Sequence, residues 1–376
     1  MKIAIFGGTF NPVHNEHINM ALAAKRELGL DKVIVVPTNL SPHKSGNLSL
    51  RARDRLALCR LAFEKYDGVE VSDCEIKRGG VSYSYVTCRR FKKLYPDAEL
   101  YFLMGADMLA SFASWREPEE ILKCAALAVC SRGNSPELMP LVKAFSSKFK
   151  GDIVTFSYVG KDIGSTRIRA LAALGEDISG FVPEEVKNSI RLHNYYAMPE
   201  VWGVKKLLTE ERWRHTVRVA ELAAKYAPKV RVFEYDAILA AALHDCAKYL
   251  SENSPYLKGF EIPEGVPAPV LHQYTGAYVA EHTFGITDKN VLNAIRYHTS
   301  GRENMSPLEK LIFLSDMLES GRDFEGVEKL RKLFDENADK CLMESLAHQL
   351  EYLKKQKKPV YSLTERAYVY LKEQKL

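Results

Sequence analysis

Cysteine is sparse and unpatterned: seven residues, at positions 59, 74, 88, 124, 130, 246 and 341, form an odd set with no Cys-x-x-Cys. That excludes a disulfide framework and a thiolate zinc site, and it implies a reducing compartment. Long apolar runs are missing as well. The opening run Ile3-Ala4-Ile5-Phe6 stops at Gly7-Gly8, too short for the core of a secretory leader. No stretch approaches the roughly 18 apolar residues needed to cross a bilayer. Charge of one sign is scarce: 53 Lys and Arg against 48 Asp and Glu leave a formal net charge of +5. So small an excess suits anionic small molecules and gives no ground for a nucleic-acid partner. The basic run Lys354, Lys355, Lys357 and Lys358 reads as a solvated face. The expectation is a cytoplasmic protein with no membrane partner, its oligomeric state open, a homo-oligomer included.

What is present is enough apolar material for two cores. With 376 residues, 46% hydrophobic and 27% charged, the chain is long enough for about two globular domains. From residue 1 to about 130, short runs at Lys2 to Phe6, Val33 to Val36, Leu100 to Met104 and Leu127 to Cys130 alternate with helical patterns at His17 to Leu28, Leu50 to Tyr66 and Tyr85 to Leu94. That alternation predicts a doubly wound, Rossmann-like α/β domain with a parallel sheet. Beyond a break at Asn194 to Pro199, helical spacing continues without strand-like runs through Val217 to Tyr226, Tyr235 to Lys248, Val291 to Tyr297 and Leu308 to Leu318. The expected division is an α/β domain over 1–196 and an all-α domain over 203–376.

Two motifs in the first half bear chemistry. The first strand runs through Gly7 and Gly8, then Thr9 and Phe10, into a helix that begins near His14 and His17. Glycines let backbone N–H groups approach a polyphosphate, and a helix start favours negative charge. The two imidazoles, three residues apart, share one helical face and can donate to phosphate oxygens. Far downstream, Ser165-Thr166-Arg167-Ile168-Arg169 offers a helix cap followed by two arginines.

Taken together, Gly8, Phe10, Pro12, His14 and His17 resemble the signature of the HIGH-type nucleotidyltransferase superfamily, and Ser165, Thr166 and Arg169 resemble its phosphate-closing element. Over residues 1–196 the chain resembles bacterial nicotinate-nucleotide adenylyltransferases, through Ser41-Pro42-His43-Lys44, Ser82-Tyr83-Ser84-Tyr85, Gly105-Ala106-Asp107-Met108-Leu109, Trp115 and Arg132. The resemblance implies that Lys44 and Arg132 face phosphates, and that Ser84, Asp107 and Trp115 line a pyridine-nucleotide pocket. It also implies transfer of AMP from Mg²⁺-bound ATP to nicotinate mononucleotide, with His14, His17, Lys44 and Arg169 as donors to the developing charge.

In the second half, His215 precedes His244-Asp245, and Asp316 follows much later. His244 and Asp245 come directly after the apolar run Ala240-Ala241-Ala242-Leu243, so they should be buried, and buried charges need partners or a metal. The order resembles the HD phosphohydrolase superfamily, with His215, His244, Asp245 and Asp316 as metal ligands and Lys248 one turn on. His272 and His298, in their local settings, resemble the branch that splits diadenosine tetraphosphate symmetrically into two ADP, and would complete a second metal position. That branch implies iron, with manganese, cobalt or zinc as alternatives. A non-catalytic nucleotide-sensing module, or action on another nucleotide, remains open for this half.

Overall fold

Valine and isoleucine runs that are apolar on both faces can only be central strands of a covered sheet, and the computed structural model places them so. It describes residues 1–40, 48–130, 138–158, 160–161 and 163–374. Six strands, β1 (Lys2–Gly8), β2 (Lys32–Pro37), β3 (Val69–Val71), β4 (Glu99–Gly105), β5 (Ala126–Cys130) and β6 (Ile153–Thr155), form one parallel sheet in the order β3-β2-β1-β4-β5-β6. Flanking helices include α1 (Asn15–Glu27), α2 (Ala52–Phe63), α3 (Cys74–Arg78), α4 (Ser84–Leu94) and α5 (Ala106–Ser111). Ile3, Ile5, Ile34, Val36, Phe102 and Leu127 pack in the core on one face. The four sequence-predicted strands are present. β3 and β6 were not expected, because three residues are too few to show a period.

The chain grows outward in one direction from β1 to β3, then returns to the other side of β1 for β4. The reversal leaves a crevice beyond the carboxyl ends of β1 and β4, where open α/β sheets bind ligands.

By contact density the chain divides into two units. One holds Met1–Ser45, Ser49–Ile168 and Asp177–Tyr195; the other holds Arg169–Glu176 and Tyr196–Leu376 with a short piece near residue 48. The second unit is helical. Its elements α6 (Glu210–Tyr226), α7 (Glu234–Leu243), α8 (Leu271–His282), α9 (Lys289–Arg296) and α10 (Pro307–Leu318) surround a core that includes Trp213, Val219, Ile238, Leu243, Ile295 and Leu311. The pattern from Tyr235 to Lys248 predicts one continuous helix, yet α7 ends at Leu243. Three-residue turns follow, Cys246 N–H to Leu243 and Lys248 N–H to Asp245. In an unbroken helix, adjacent side chains diverge by about 100°; the turns let His244 and Asp245 both reach the same centre. Among the described residues, no helix is long and apolar enough to cross a membrane.

Candidate active sites

The crevice of the first unit opens into a cavity of about 430 Å³ lined by Gly7, Gly8, Thr9, Phe10, His17, Ser84, Asp107, Trp115 and Ser165 among others. The glycine turn is tightly packed. A Cβ on Gly8 would stand 2.9 Å from the Phe10 ring, and Phe10, at φ 48°, is boxed in by Phe6, His17 and Phe63. His14, 2% exposed, caps the start of α1. Its ring stacks on that of His17 at 3.7 Å, and its backbone N–H donates to His17 Nδ1 at 3.2 Å. Because Nδ1 of His17 accepts, the neutral ring carries its proton on Nε2.

The two sequence motifs meet here. Ser165, at the start of the Ser165–Ala173 helix, donates from Oγ to the Pro12 carbonyl at 2.9 Å. Glu16, buried on α1, accepts from Tyr158 Oη at 2.6 Å and from the Lys161 N–H at 2.7 Å, fixing the approach to that helix. Trp115 meets Phe102 and Phe112 edge-on or tilted while also lining the cavity, so it serves both core and pocket. Thr166 is not among the lining residues. Lys44 and Arg132 lie outside the described residues. Arg169 falls in the second unit, 7% exposed, and its guanidinium grips Glu234 through Nε–Oε1 at 2.7 Å and Nη2–Oε2 at 2.6 Å. A buried guanidinium requires an anion, and Glu234 supplies it.

Three residues that shape this cavity were not singled out from sequence. Arg55 is 2% exposed and donates to the carbonyls of Thr9, Thr38 and Asn39 at 2.6, 2.6 and 2.9 Å, bracing the turns after β1 and β2. Glu75 accepts from Thr87 within the cavity wall, and burial raises its carboxyl above the usual range against the hydroxyls of Ser82 and Thr87. Arg116 lies over the Tyr83 ring at 4.7 Å and brings a cation to the cavity. All three act across long sequence separations that no local pattern displays.

In the second unit the expected ligand residues converge. His244 Nδ1 donates to the Ala241 carbonyl at 2.6 Å, His298 Nδ1 to Ile295 at 2.7 Å, and His215 Nδ1 to Glu319 Oε1 at 3.0 Å. Each ring turns its Nε2 toward a carboxylate: His215 lies 3.0 Å from Asp316 Oδ1, His244 3.3 Å from Asp245 Oδ2, and His298 3.6 Å from Asp245 Oδ1. His272 Nε2 sits 3.2 Å from His298 Nε2 and 2.9 Å from Lys248 Nζ. Arg212 pairs with Asp245 at 3.0 Å, and Arg322 with Asp316 at 2.6 Å.

Electrostatics keep the carboxylates ionised and His272 neutral. Burial opposes charge on Asp245, but His244 and His298 hold its carboxyl well below the usual range. Asp316 is likewise held well below it against burial, through His215, His244 and Arg322. Burial, then His298 and Lys248, drive His272 down to about 3. Glu319, missed in the sequence, is 1% exposed and brought down to about 2 against burial by His215, Arg218 and the Gly321 N–H.

These residues fit a metal ion. His215 Nε2, His244 Nε2 and Asp245 Oδ1 are buried without a hydrogen-bond partner, although carboxylate or imidazole atoms stand nearby. Orphaned buried polar atoms are costly, and an ion satisfies all of them at once. Two sets, His215, His244 and Asp316, and His244, Asp245 and His298, each have ligand atoms within 4.8 Å of one another and share His244. Mixed imidazole and carboxylate donors suit a transition metal.

Comparison with known proteins agrees with both halves. The Cytidylyltransferase-like family model matches residues 5–171, and the HD domain model matches 212–321. A protein of Mycoplasma pneumoniae named "Probable nicotinate-nucleotide adenylyltransferase/Ap4A hydrolase" is 32% identical over 85% of this chain and 89% of its own length. The chain belongs to this two-unit family. A protein of the same name from Mycoplasma genitalium is 29% identical over 92% of the chain and 97% of its own length. The probable nicotinate-nucleotide adenylyltransferase of Clostridium tetani is 38% identical over 52% of the chain, and the alignment takes in 98% of the Clostridium protein.

Proposed function

We propose that the chain is a bifunctional enzyme of the cytoplasm, with a nicotinate-nucleotide adenylyltransferase domain over 1–196 and a metal-dependent phosphohydrolase domain over 203–376. The observation that supports the first activity is His17, its ring fixed by the His14 N–H, on the wall of a cavity that also holds the glycine turn, Ser84, Asp107 and Trp115. A phosphate oxygen of nicotinate mononucleotide attacks the α-phosphorus of ATP in line. The new P–O bond forms as the bond to the β-phosphate oxygen breaks, and pyrophosphate leaves. No protein nucleophile takes part, so the residues contribute alignment and charge. His17 donates to the developing negative charge, His14 fixes its ring, and Thr9, Phe10 and Ser165 form the cradle. Mg²⁺ carried with ATP shares the phosphate charge. Lys44, Arg132 and Thr166 take the phosphate-facing roles that the resemblance assigns. The resemblance assigns a phosphate-facing role to Arg169 as well. Arg116 favours the carboxylate of a nicotinate ring over a neutral amide.

For the second unit the supporting observation is the set of Nε2 and carboxylate atoms left unsatisfied at one centre. His215, His244, Asp245 and Asp316 hold the ion, with His272 and His298 extending the centre to a second position. Iron is the first choice, with manganese, cobalt or zinc as alternatives. A bound ion supplies Lewis acidity toward water and phosphoryl oxygen. Lys248 neutralises the phosphate approaching Asp245. The substrate assigned is diadenosine tetraphosphate, cleaved by water to two ADP. A panel of mononucleotide acceptors assayed for pyrophosphate release, with product masses from diadenosine tetraphosphate, tests both activities. The expected products are deamido-NAD with pyrophosphate from the first reaction, and ADP alone from the tetraphosphate. Release with phosphopantetheine only, or AMP plus ATP from the tetraphosphate, overturns the respective assignment.

A further inference from the structure

A second cavity, of about 350 Å³, opens in the helical unit directly beside the ligand cluster. Lys248 and His272 line its inner end, and its remaining walls are mostly apolar, including Leu250, Leu257, Phe260, Pro269 and Leu271. Its size falls at the small end of ligand-binding pockets, which combine apolar walls with a few placed polar groups. Leu257 and Phe260 belong to the unit's core packing, and the Phe260 ring meets Tyr278 edge-on at 5.3 Å, so this wall is preformed. Ile262, on the same lining, is 53% exposed. Its side chain extends the apolar wall of the cavity to the solvent edge. Glu252, also on the lining and exposed, can accept hydrogen bonds from amino or hydroxyl donors but offers none.

The order of chemistry from solvent inward is thus apolar chamber, ammonium, then imidazole and carboxylate ligands. Lys248 Nζ lies 2.9 Å from His272 Nε2 and 3.8 Å from Asp245 Oδ1. We infer that this cavity is the nucleoside subsite of the hydrolase: the base packs on Phe260, Leu257 and Ile262, its amine or the ribose hydroxyls donate to Glu252, and the first phosphate crosses Lys248 to reach the ligand cluster. A flat heterocycle joined to phosphates matches that sequence, and a phosphate without a nucleoside leaves the apolar chamber unfilled. The inference rests on reading the cluster as a phosphohydrolase centre, but location of the base is testable without turnover.

Photolysis of 8-azido-ADP with the chelator-treated full-length chain, followed by peptide mass mapping, reads that location directly. Adducts are expected between residues 250 and 275, in addition to any in the amino-terminal cavity, and Ile262→Asp should reduce them at least tenfold. Labelling confined to the amino-terminal unit overturns the inference. In the metal-loaded chain, Phe260→Ala and Ile262→Asp should raise KM for diadenosine tetraphosphate at least tenfold relative to KM for inorganic tripolyphosphate. An equal change for both substrates contradicts a nucleoside subsite. Wild-type protein that hydrolyses neither substrate yet labels at 250–275 would sink the hydrolase reading alone.

Discussion

The two halves assemble their candidate sites by opposite means. The amino-terminal site is a space: a cavity of about 430 Å³ walled by glycine backbone, aromatic rings and an oriented imidazole, with Glu75, Asp107 and Arg116 spaced around it. The helical site is a knot of side chains, in which His215, His244, Asp245, His272, His298 and Asp316 lie among Arg212, Lys248 and Arg322 with ligand atoms still unsatisfied. Preorganised donors around a void cost the empty protein little. A buried cluster of charges is expensive to desolvate and pays its way only when its partners, here including an ion, are all in place. The first site should therefore tolerate substitution without losing structure, and the second should lose metal, activity and stability together.

The largest test of that contrast is Asp245→Ala. Hydrolysis should fall below detection and bound metal should be lost, while adenylyl transfer continues; a matched loss of both activities would show that the halves are not chemically separate. Next, His17→Ala should lower kcat for adenylyl transfer by about a hundredfold or more, the scale of one transition-state donor, with the melting curve of the chain little changed. Steady-state kinetics and calorimetry on one preparation check both parts.

Glu319→Gln should weaken metal binding by roughly 10- to 100-fold, since carboxylates behind metal-bound histidines set the ring's tautomer and basicity. Competition with a chromophoric chelator measures it. Its acid dependence has a definite sign. The Glu319 carboxyl is held at about 2 in the folded chain, so its stabilisation is complete above the ordinary glutamate value and fades as pH falls toward 2. The stability gap between wild type and Glu319→Gln should be constant above about pH 5 and narrow below it; a gap that widens in acid would contradict the pairing. The smallest effect belongs to Arg116→Ala. An exposed cation contributes about 1 kcal/mol or less, so KM for nicotinate mononucleotide should rise by no more than about fivefold. No rise, or an equal rise for the nicotinamide nucleotide, removes Arg116 from acceptor choice.

The same contrast governs how much could be read from the chain alone. Gly8, Phe10, His14 and His17 are visible because the turn is local: strand, glycines and helix start lie within one short stretch, and Ser165 joins them through a single contact to Pro12. The candidate ligands His215, His244, Asp245 and Asp316 are visible because a metal centre demands particular residue types. The supporting residues are hidden. Arg55, Glu75 and Glu319 work through partners across the fold, and nothing near them in sequence distinguishes them from surface arginines and glutamates. Glu234 is hidden for the same reason, although it occupies the guanidinium of Arg169. The end of α7 at Leu243 was also illegible, because the helical period of Tyr235 to Lys248 continues through a turn imposed by tertiary packing.

The central claim is that the helical cluster is built around a resident ion while the amino-terminal cavity is not. Elemental analysis of the purified full-length chain, dialysed free of loose metal, tests it most directly. One or two transition-metal ions per wild-type chain, with none in Asp245→Ala and an unchanged content in His17→Ala, is the predicted result. A wild-type chain that holds no ion, even after incubation with Fe²⁺, Mn²⁺ or Co²⁺, would contradict it.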